Sequence, residues 1–298
     1  MTSLHKKSTF ELSRSVKDCL AGTVAGSFQV LAGQPFDTVK VRLQSNSISN
    51  NILPYKGVTD CIIRIFQEEG ALAFYKGTLT PLLGVGLCVA IQFISLERMK
   101  RYFKKDGKDF TINELYLSGA LSGLANTIVA GPVEHIRIKQ QMDRGIKNQS
   151  PIQLIKHIYR HHGIKGIYHG QILTMIRDFQ AYGIYFSIYE LLIQSHINQN
   201  NLINRTQIPM TYVASYGILA GFGYWLSSYP IDVIKTNIQA DKLGKDKKLN
   251  SAWQCANNIL KEQGIKGFFK GLTPCLLRTI PAASSTFLGF EFAMKLLD

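Results

Sequence analysis

Three short segments of the chain place a carboxylate and a cation three residues apart, just behind a proline. They are GQPFDTVKVRLQ with Pro35, Asp37 and Lys40, GPVEHIRIKQQ with Pro132, Glu134 and Arg137, and YPIDVIKTNIQ with Pro230, Asp232 and Lys235. Residues three apart on a helix lie on neighbouring faces, so each segment offers both halves of an ion pair. A second group of charges interrupts otherwise apolar runs: Arg177 and Asp178 in RDFQAYGIYF, and Arg278 between residues 272 and 290. A charge inside such a run is costly and marks a functional position facing a water-filled cavity. Arginine grips a carboxylate through a planar fork of donors, and an aspartate attracts an ammonium. The set Arg177, Asp178 and Arg278 therefore suits a small zwitterion, whereas Asp178 would repel a phosphate-rich ligand. The competing reading is that Arg177 and Asp178 pair with each other and only stabilise their helix.

Both groups repeat at a fixed step, which dictates the elements that carry them. The three prolines are 97 and 98 residues apart. A pair of glycines four apart precedes each: Gly22 and Gly26, Gly119 and Gly123, Gly217 and Gly221. A Gly-x6-Gly pair follows each: Gly70 and Gly77, Gly163 and Gly170, Gly264 and Gly271, the second glycine closing a YKG, YHG or FKG triplet. A fixed period of this length means tandem copies of one supersecondary unit. The expected boundaries are 1–105, 106–205 and 206–298. Seven residues beyond the second glycines lie Gly84, Arg177 and Arg278, followed by Val85, Asp178 and Thr279. Gly84, Val85, Arg177, Asp178 and Arg278 are thus the candidate substrate-binding positions, at one depth in three equivalent helices.

Within one unit, residues 15–44 read as a helix in which the proline removes a backbone hydrogen bond and introduces a kink, at Pro35, Pro132 and Pro230 in the three copies. The stretch GVTDCIIRIFQEE (57–69) has apolar positions at helical spacing and is too short and charged to cross a bilayer, so it lies along a surface. Its counterparts fall near 151–162 and 251–263. Uncharged stretches at 19–36, 78–96, 115–133 and 206–231, with 167–189 and 272–290, give six spans of bilayer length, two per unit. SNSISNN (45–51), KKDGKD (104–109) and NQNNLINR (198–205) read as solvated linkers. The expected class is an all-α membrane protein with six transmembrane helices and short surface helices.

The bulk composition excludes several alternatives. The chain has 298 residues and a formal charge of +14, yet no helix-turn-helix, aromatic-rich strand or continuous basic helix suits nucleic acid. Its basic residues cluster beyond the spans, where anionic head groups lie. The cysteines at 19, 61, 88, 255 and 275 have no ligand spacing and read as reduced packing thiols. His157, His161 and His162 supply no third ligand and no HExxH, so no metal or other cofactor is expected. Without a nucleophile elbow, P-loop or Gly-rich phosphate motif the chain does not read as an enzyme. Residues 1–14 carry no secretory signal.

The motif P-x-[DE]-x-x-[KR]-x-[KR]-x-Q, three times in register along essentially the whole chain, resembles the mitochondrial carrier family, solute transporters of the mitochondrial inner membrane. The resemblance implies six tilted helices in a pseudo-three-fold barrel around one central substrate site, alternating access, and a monomer. It implies a ring of pairs, Asp37 with Arg137, Glu134 with Lys235 and Asp232 with Lys40, closing the cavity on the matrix side. Gln44, Gln141 and Gln239 match the brace positions that bond across each pair. Cardiolipin is the lipid it implies, held at the turns ending in Gly77, Gly170 and Gly271, with His169 replacing a base in the second. On the cytoplasmic side Glu97 and Lys100 fit the family's charges, but Glu190 and Glu291 have no base three residues later, so that gate is expected to be weak. GQPFDTVKVRLQ, YKGTLTPLLGVG, AGPVEHIR and FLGFEFAMK resemble the carnitine, ornithine and amino-acid branch. The expected cargo is a glutamate-like or neutral amino acid, with carnitine, acylcarnitine or a basic amino acid as alternatives. A proton or anion leak of the uncoupling kind is the alternative of another class.

Overall fold

The computed structural model describes residues 14–45, 55–103, 110–142, 150–244 and 247–297. The linker residues 46–51 and 104–109, read above as solvated, lie outside them. Among the described residues there are nine α-helices and no strand: α1 (Arg14–Gln44), α2 (Val58–Glu69), α3 (Leu79–Phe103), α4 (Ile112–Met142), α5 (Pro151–Ile167), α6 (Gln171–Gln199), α7 (Met210–Ala240), α8 (Ala252–Gln263) and α9 (Leu272–Leu297). Each unit is a long helix, a short one and a second long one. The long helices run several residues past the uncharged stretches, because the charged turns that flank those stretches continue the same helix.

The six long helices close into a ring: α1 packs on α3 and α9, α4 on α3 and α6, and α7 on α6 and α9. Small residues set the approach. A Cβ on Gly26 would come within 2.5 Å of Val85 Cγ2 on α3, and one on Gly123 within 2.8 Å of the Asp178 carbonyl on α6. In lipid, where apolar surface gains nothing by leaving its solvent, such backbone proximity is what holds helices together. The ring is polar inside and apolar outside. Gln34, Asp37, Lys40, Asp178, Asp232 and Lys235 are buried, while Leu83, Leu87, Ile94, Ile176, Leu277 and Phe292 are exposed. That inversion of a soluble core is what a bilayer requires. Only the stretch Ala71–Phe103, of the described residues, passes a plain length-and-hydropathy test for a span. The other long helices carry the polar residues of the ring's interior, which lower their hydropathy without changing their length.

Pro35, Pro132 and Pro230 lie inside continuous helices. The short helices dock against the turns that follow the prolines. Cys61 and Ile65 of α2 pack on Val39 and Leu43 of α1, and Cys255 and Ile259 of α8 pack on Val233 and Ile238 of α7. Ser150 and Gln153 form a capping box at the start of α5, and the Ser251 side chain accepts from the Gln254 amide at α8. All six Gly-x6-Gly glycines have φ between 62° and 85°. This left-handed region strains any residue with a Cβ, which is why both ends of each motif are glycine. In the second unit α5 spans Gly163, but its backbone breaks there (φ 62°) as it does at Gly70 and Gly264.

Candidate functional site

A cavity of about 1040 Å³ occupies the axis of the ring. The end nearest the short helices is walled by Asp37, Lys40, Glu134, Arg137, Asp232 and Lys235 from the odd helices α1, α4 and α7, together with Arg177 of α6 and Arg278 of α9. The proline-linked charges meet as acid and base from adjacent units. Arg137 lies 2.6 Å from Asp37, Lys40 lies 2.7 Å from Asp232, and Lys235 pairs with Glu134. All three pairs named from the sequence are therefore present, and they form a closed circuit α1–α4–α7–α1.

The two arginines from the even helices join this circuit. Arg177 contacts Glu134 at 2.9 Å, Asp232 at 3.1 Å and Asp178 at 2.6 Å. Arg278 Nε lies 2.9 Å from Asp37 Oδ1, and its guanidinium lies over Gly33, where a Cβ would come within 2.6 Å of Nε. The wall at this end thus holds five cations against three carboxylates. The excess of positive charge attracts a carboxylate, and the arginines now bonded to Glu134, Asp232 and Asp37 can exchange those partners for it.

Other candidate positions lie elsewhere. Gly84 and Val85 sit in helix contacts and are not cavity wall: a Cβ on Gly84 would come within 2.7 Å of Val133 Cγ2, and Val85 fills the notch at Gly26. Their depth matches that of Arg177 and Arg278, but α3 turns that face toward α4 and α1. Asp178 is 1 % exposed and also not cavity wall; it accepts from Arg177 Nε at 2.7 Å and from the Tyr224 hydroxyl at 3.4 Å. The local pairing weighed from the sequence is thus present. In this conformation the carboxylates that face the cavity are those of the circuit.

The three glutamines also differ from one another. Gln44 Nε2 donates to Asp232 at 3.1 Å and so bonds across the Lys40 pair, but Gln141 donates to the Thr38 hydroxyl and Gln239 to the His169 carbonyl, each at 3.3 Å. Gln34, not singled out from its sequence, does more: its Oε1 accepts from Arg137, and its Nε2 donates to the Lys76 carbonyl at 2.7 Å. It directly precedes Pro35, so proximity to the motif was its only signal. Tyr224 and Trp225 line the cavity and were likewise not singled out.

Outside the cavity, Glu69 on α2 binds Arg42 of α1 by two bonds and Lys76 at 2.6 Å. Burial alone would raise the Glu69 pKa, but the hydrogen bonds from Arg42 and Lys76 outweigh it and hold the carboxyl below its usual range. At the far rim Lys100 of α3 lies 3.0 Å from Glu190 of α6, with Arg205 at 3.5 Å on the other side. The base that Glu190 lacks on its own helix comes from its neighbours. A smaller cavity of about 270 Å³ lies beside Gly77, where the start of α3 meets Lys139, Ser150 and Pro151. At the equivalent turn of the second unit His169 stands where the other two turns have Lys76 and Lys270.

The chain matches the family model described as "Mitochondrial carrier protein" over residues 12–107, 108–200 and 206–298. It is 44 % identical over 283 residues, 94 % of each chain, to the glutamate/glycine mitochondrial carrier ymc1 of Schizosaccharomyces pombe. It is 40 % identical to the mitochondrial glycine transporter YMC1 of Saccharomyces cerevisiae over 96 % of this chain and 92 % of that one. The mitochondrial carnitine/acylcarnitine carrier protein of Mus musculus is 33 % identical over 95 % of this chain and 94 % of its own. With three matching repeats, the ring of six long helices and relatives of the same length, this chain belongs to the mitochondrial carrier family of the inner membrane.

Proposed function

We propose that the protein carries a small amino acid, glycine or a glutamate-like one, across the mitochondrial inner membrane by alternating access. The observation that carries this reading is the cavity floor, where Arg177 and Arg278 face the same space as Glu134, Asp37 and Asp232. A zwitterion satisfies both signs with one small molecule: its carboxylate takes the arginines and its ammonium meets a circuit carboxylate. Binding then draws Arg177 and Arg278 off their present partners and loosens the circuit. A ligand shifts a two-state equilibrium by its differential affinity for the states, and competition for shared arginines supplies that difference. The names of the relatives at 44 % and 40 % identity agree with this cargo.

In this reading the circuit is the gate at the matrix end, Gln44 is its brace, and Lys100 with Glu190 is a contact of the opposite gate. The cavity beside Gly77 takes a lipid phosphate at the start of α3, as cardiolipin would offer, with Gly170 and Gly271 at the matching turns. The protein works as a monomer, since each has its own axial cavity. The test is uptake into proteoliposomes of glycine, glutamate, ornithine, carnitine and ADP, with and without internal substrate. Uptake of glycine or glutamate whose KM Arg278→Ala raises supports the reading. Uptake of ADP or carnitine alone refutes it.

A further inference from the structure

Helix α7 places Trp225, Tyr229 and Asp232 at positions i, i+4 and i+7, so the three side chains share one face. That face is occupied. The Lys40 ammonium, arriving from α1, lies 4.1 Å from the centroid of the Trp225 ring, 5.6 Å from that of Tyr229, and 2.7 Å from Asp232 Oδ2. Two aromatic rings and a carboxylate around one ammonium are the elements of a cation site. Tyr229 is fully buried and its hydroxyl donates to the Lys270 carbonyl at 3.1 Å, which fixes the ring. Tyr224 packs edge-on against Trp225 with centroids 4.9 Å apart, and Trp225 itself lines the cavity.

Closing the circuit does not account for the two rings. By the repeat step, Thr127 and Val30 stand where the third unit has Trp225, and Gly131 and Gln34 where it has Tyr229. The pairs Lys235–Glu134 and Arg137–Asp37 close without an aromatic residue at either position. Arg177, meanwhile, touches the other oxygen of Asp232 at 3.1 Å. A carboxylate-gripping arginine and the aromatic face thus lie within reach of one small zwitterion.

We infer that Trp225, Tyr229 and Asp232 form an ammonium site, filled by Lys40 while the circuit is closed and taken by the ammonium of the amino-acid substrate once Lys40 leaves with α1. The inference rests on the proposed amino-acid cargo and names the subsite that reads its amine. Lys40 is then a built-in competitor of the substrate, and vacating the site couples amine recognition to opening.

The experiment compares the unaltered protein with Trp225→Leu and Trp225→Phe in proteoliposomes, measuring the KM for glycine exchange and the Ki of glycolate, which keeps the carboxylate and replaces the ammonium by a hydroxyl. If another amino acid is the one exchanged, it and its 2-hydroxy analogue are used instead. The expected result is a KM raised about 3- to 30-fold in the leucine variant, with most of the affinity kept by phenylalanine. The glycolate Ki stays the same in all three. A glycine KM unchanged while only the rate falls, or a glycolate Ki that rises in parallel, overturns the inference and leaves the cargo standing. An unaltered protein that exchanges no amino acid refutes the cargo and this site together. A second measurement does not depend on the leucine variant folding. The chain has two tryptophans, so Trp253→Phe leaves Trp225 as the only one. Its emission should shift with saturating glycine and not with glycolate; identical spectra refute the site.

Discussion

Removing the Arg278 guanidinium tests whether the even-helix arginines bind cargo or only hold the fold. Arg278 bonds only Asp37 among the circuit carboxylates, through Nε at 2.9 and 3.0 Å. In Arg278→Ala, Asp37 keeps Arg137 at 2.6 Å, so no buried carboxylate is stranded and the melting temperature stays near that of the unaltered protein. The cargo carboxylate, however, loses one charge-assisted partner, worth about 1.5–3 kcal/mol. That corresponds to a KM for exchange raised about 10- to 150-fold. Arg278→Lys keeps the charge but not the fork, and recovers part of the loss. Arg177→Ala behaves differently: it removes the cation bonded to Asp178, which is 1 % exposed, along with contacts to Glu134 and Asp232. Leaving a buried charge unpaired costs about 3–5 kcal/mol, so this variant melts well below the others or fails to fold. Thermal melting in detergent and exchange kinetics in proteoliposomes separate the two effects. An Arg278→Ala protein that is folded and has an unchanged KM would refute the carboxylate grip. Equal destabilisation by both alanines would refute the distinction drawn between them.

Three further outcomes follow from the geometry. Alanine at Gly77 or Gly170 forces a Cβ into a left-handed conformation at about 1–2 kcal/mol, and brings it to 3.1 Å from the Arg137 carbonyl or 2.9 Å from Gln239 Cγ, so each should lower the melting temperature. Glu69→Gln takes the carboxylate charge away from Arg42 and Lys76 and should destabilise by about 1.5–3 kcal/mol at neutral pH. The folded-state pKa of Glu69 is lowered, so its contribution is complete above the unfolded value and lost as pH falls below about 4, where the melting curves of the two proteins should converge. Of the three brace positions, only Gln44→Ala removes a bond to a circuit carboxylate, so it should raise the exchange rate or basal leak more than Gln141→Ala or Gln239→Ala; equal effects from all three would count against the assignment.

The sequence by itself determined what depends on local chemistry and on period. The repeat step placed Asp37, Glu134 and Asp232 at one level and Lys40, Arg137 and Lys235 one helical turn on, and the pairing followed from the three-fold register of a known family. The Gly-x6-Gly pairs marked six backbone positions because left-handed φ leaves glycine little competition, and that constraint is local. The helices themselves were legible from length, charge gaps and amphipathic spacing. What only the tertiary structure decided is which way a side chain faces once helices are packed. Gly84, Val85 and Asp178 share the depth of Arg177 and Arg278, yet α3 rotates the first two into its neighbours and Arg177 covers the third. A helix turns by about 100° per residue, so register fixes depth but leaves azimuth to the packing partners. The same limit hid Gln34 and the aromatic face of Trp225 and Tyr229. Their partners, Arg137 of another unit and Lys40 of another helix, lie about 100 and 190 positions away in the chain. Only closing the ring brings them together.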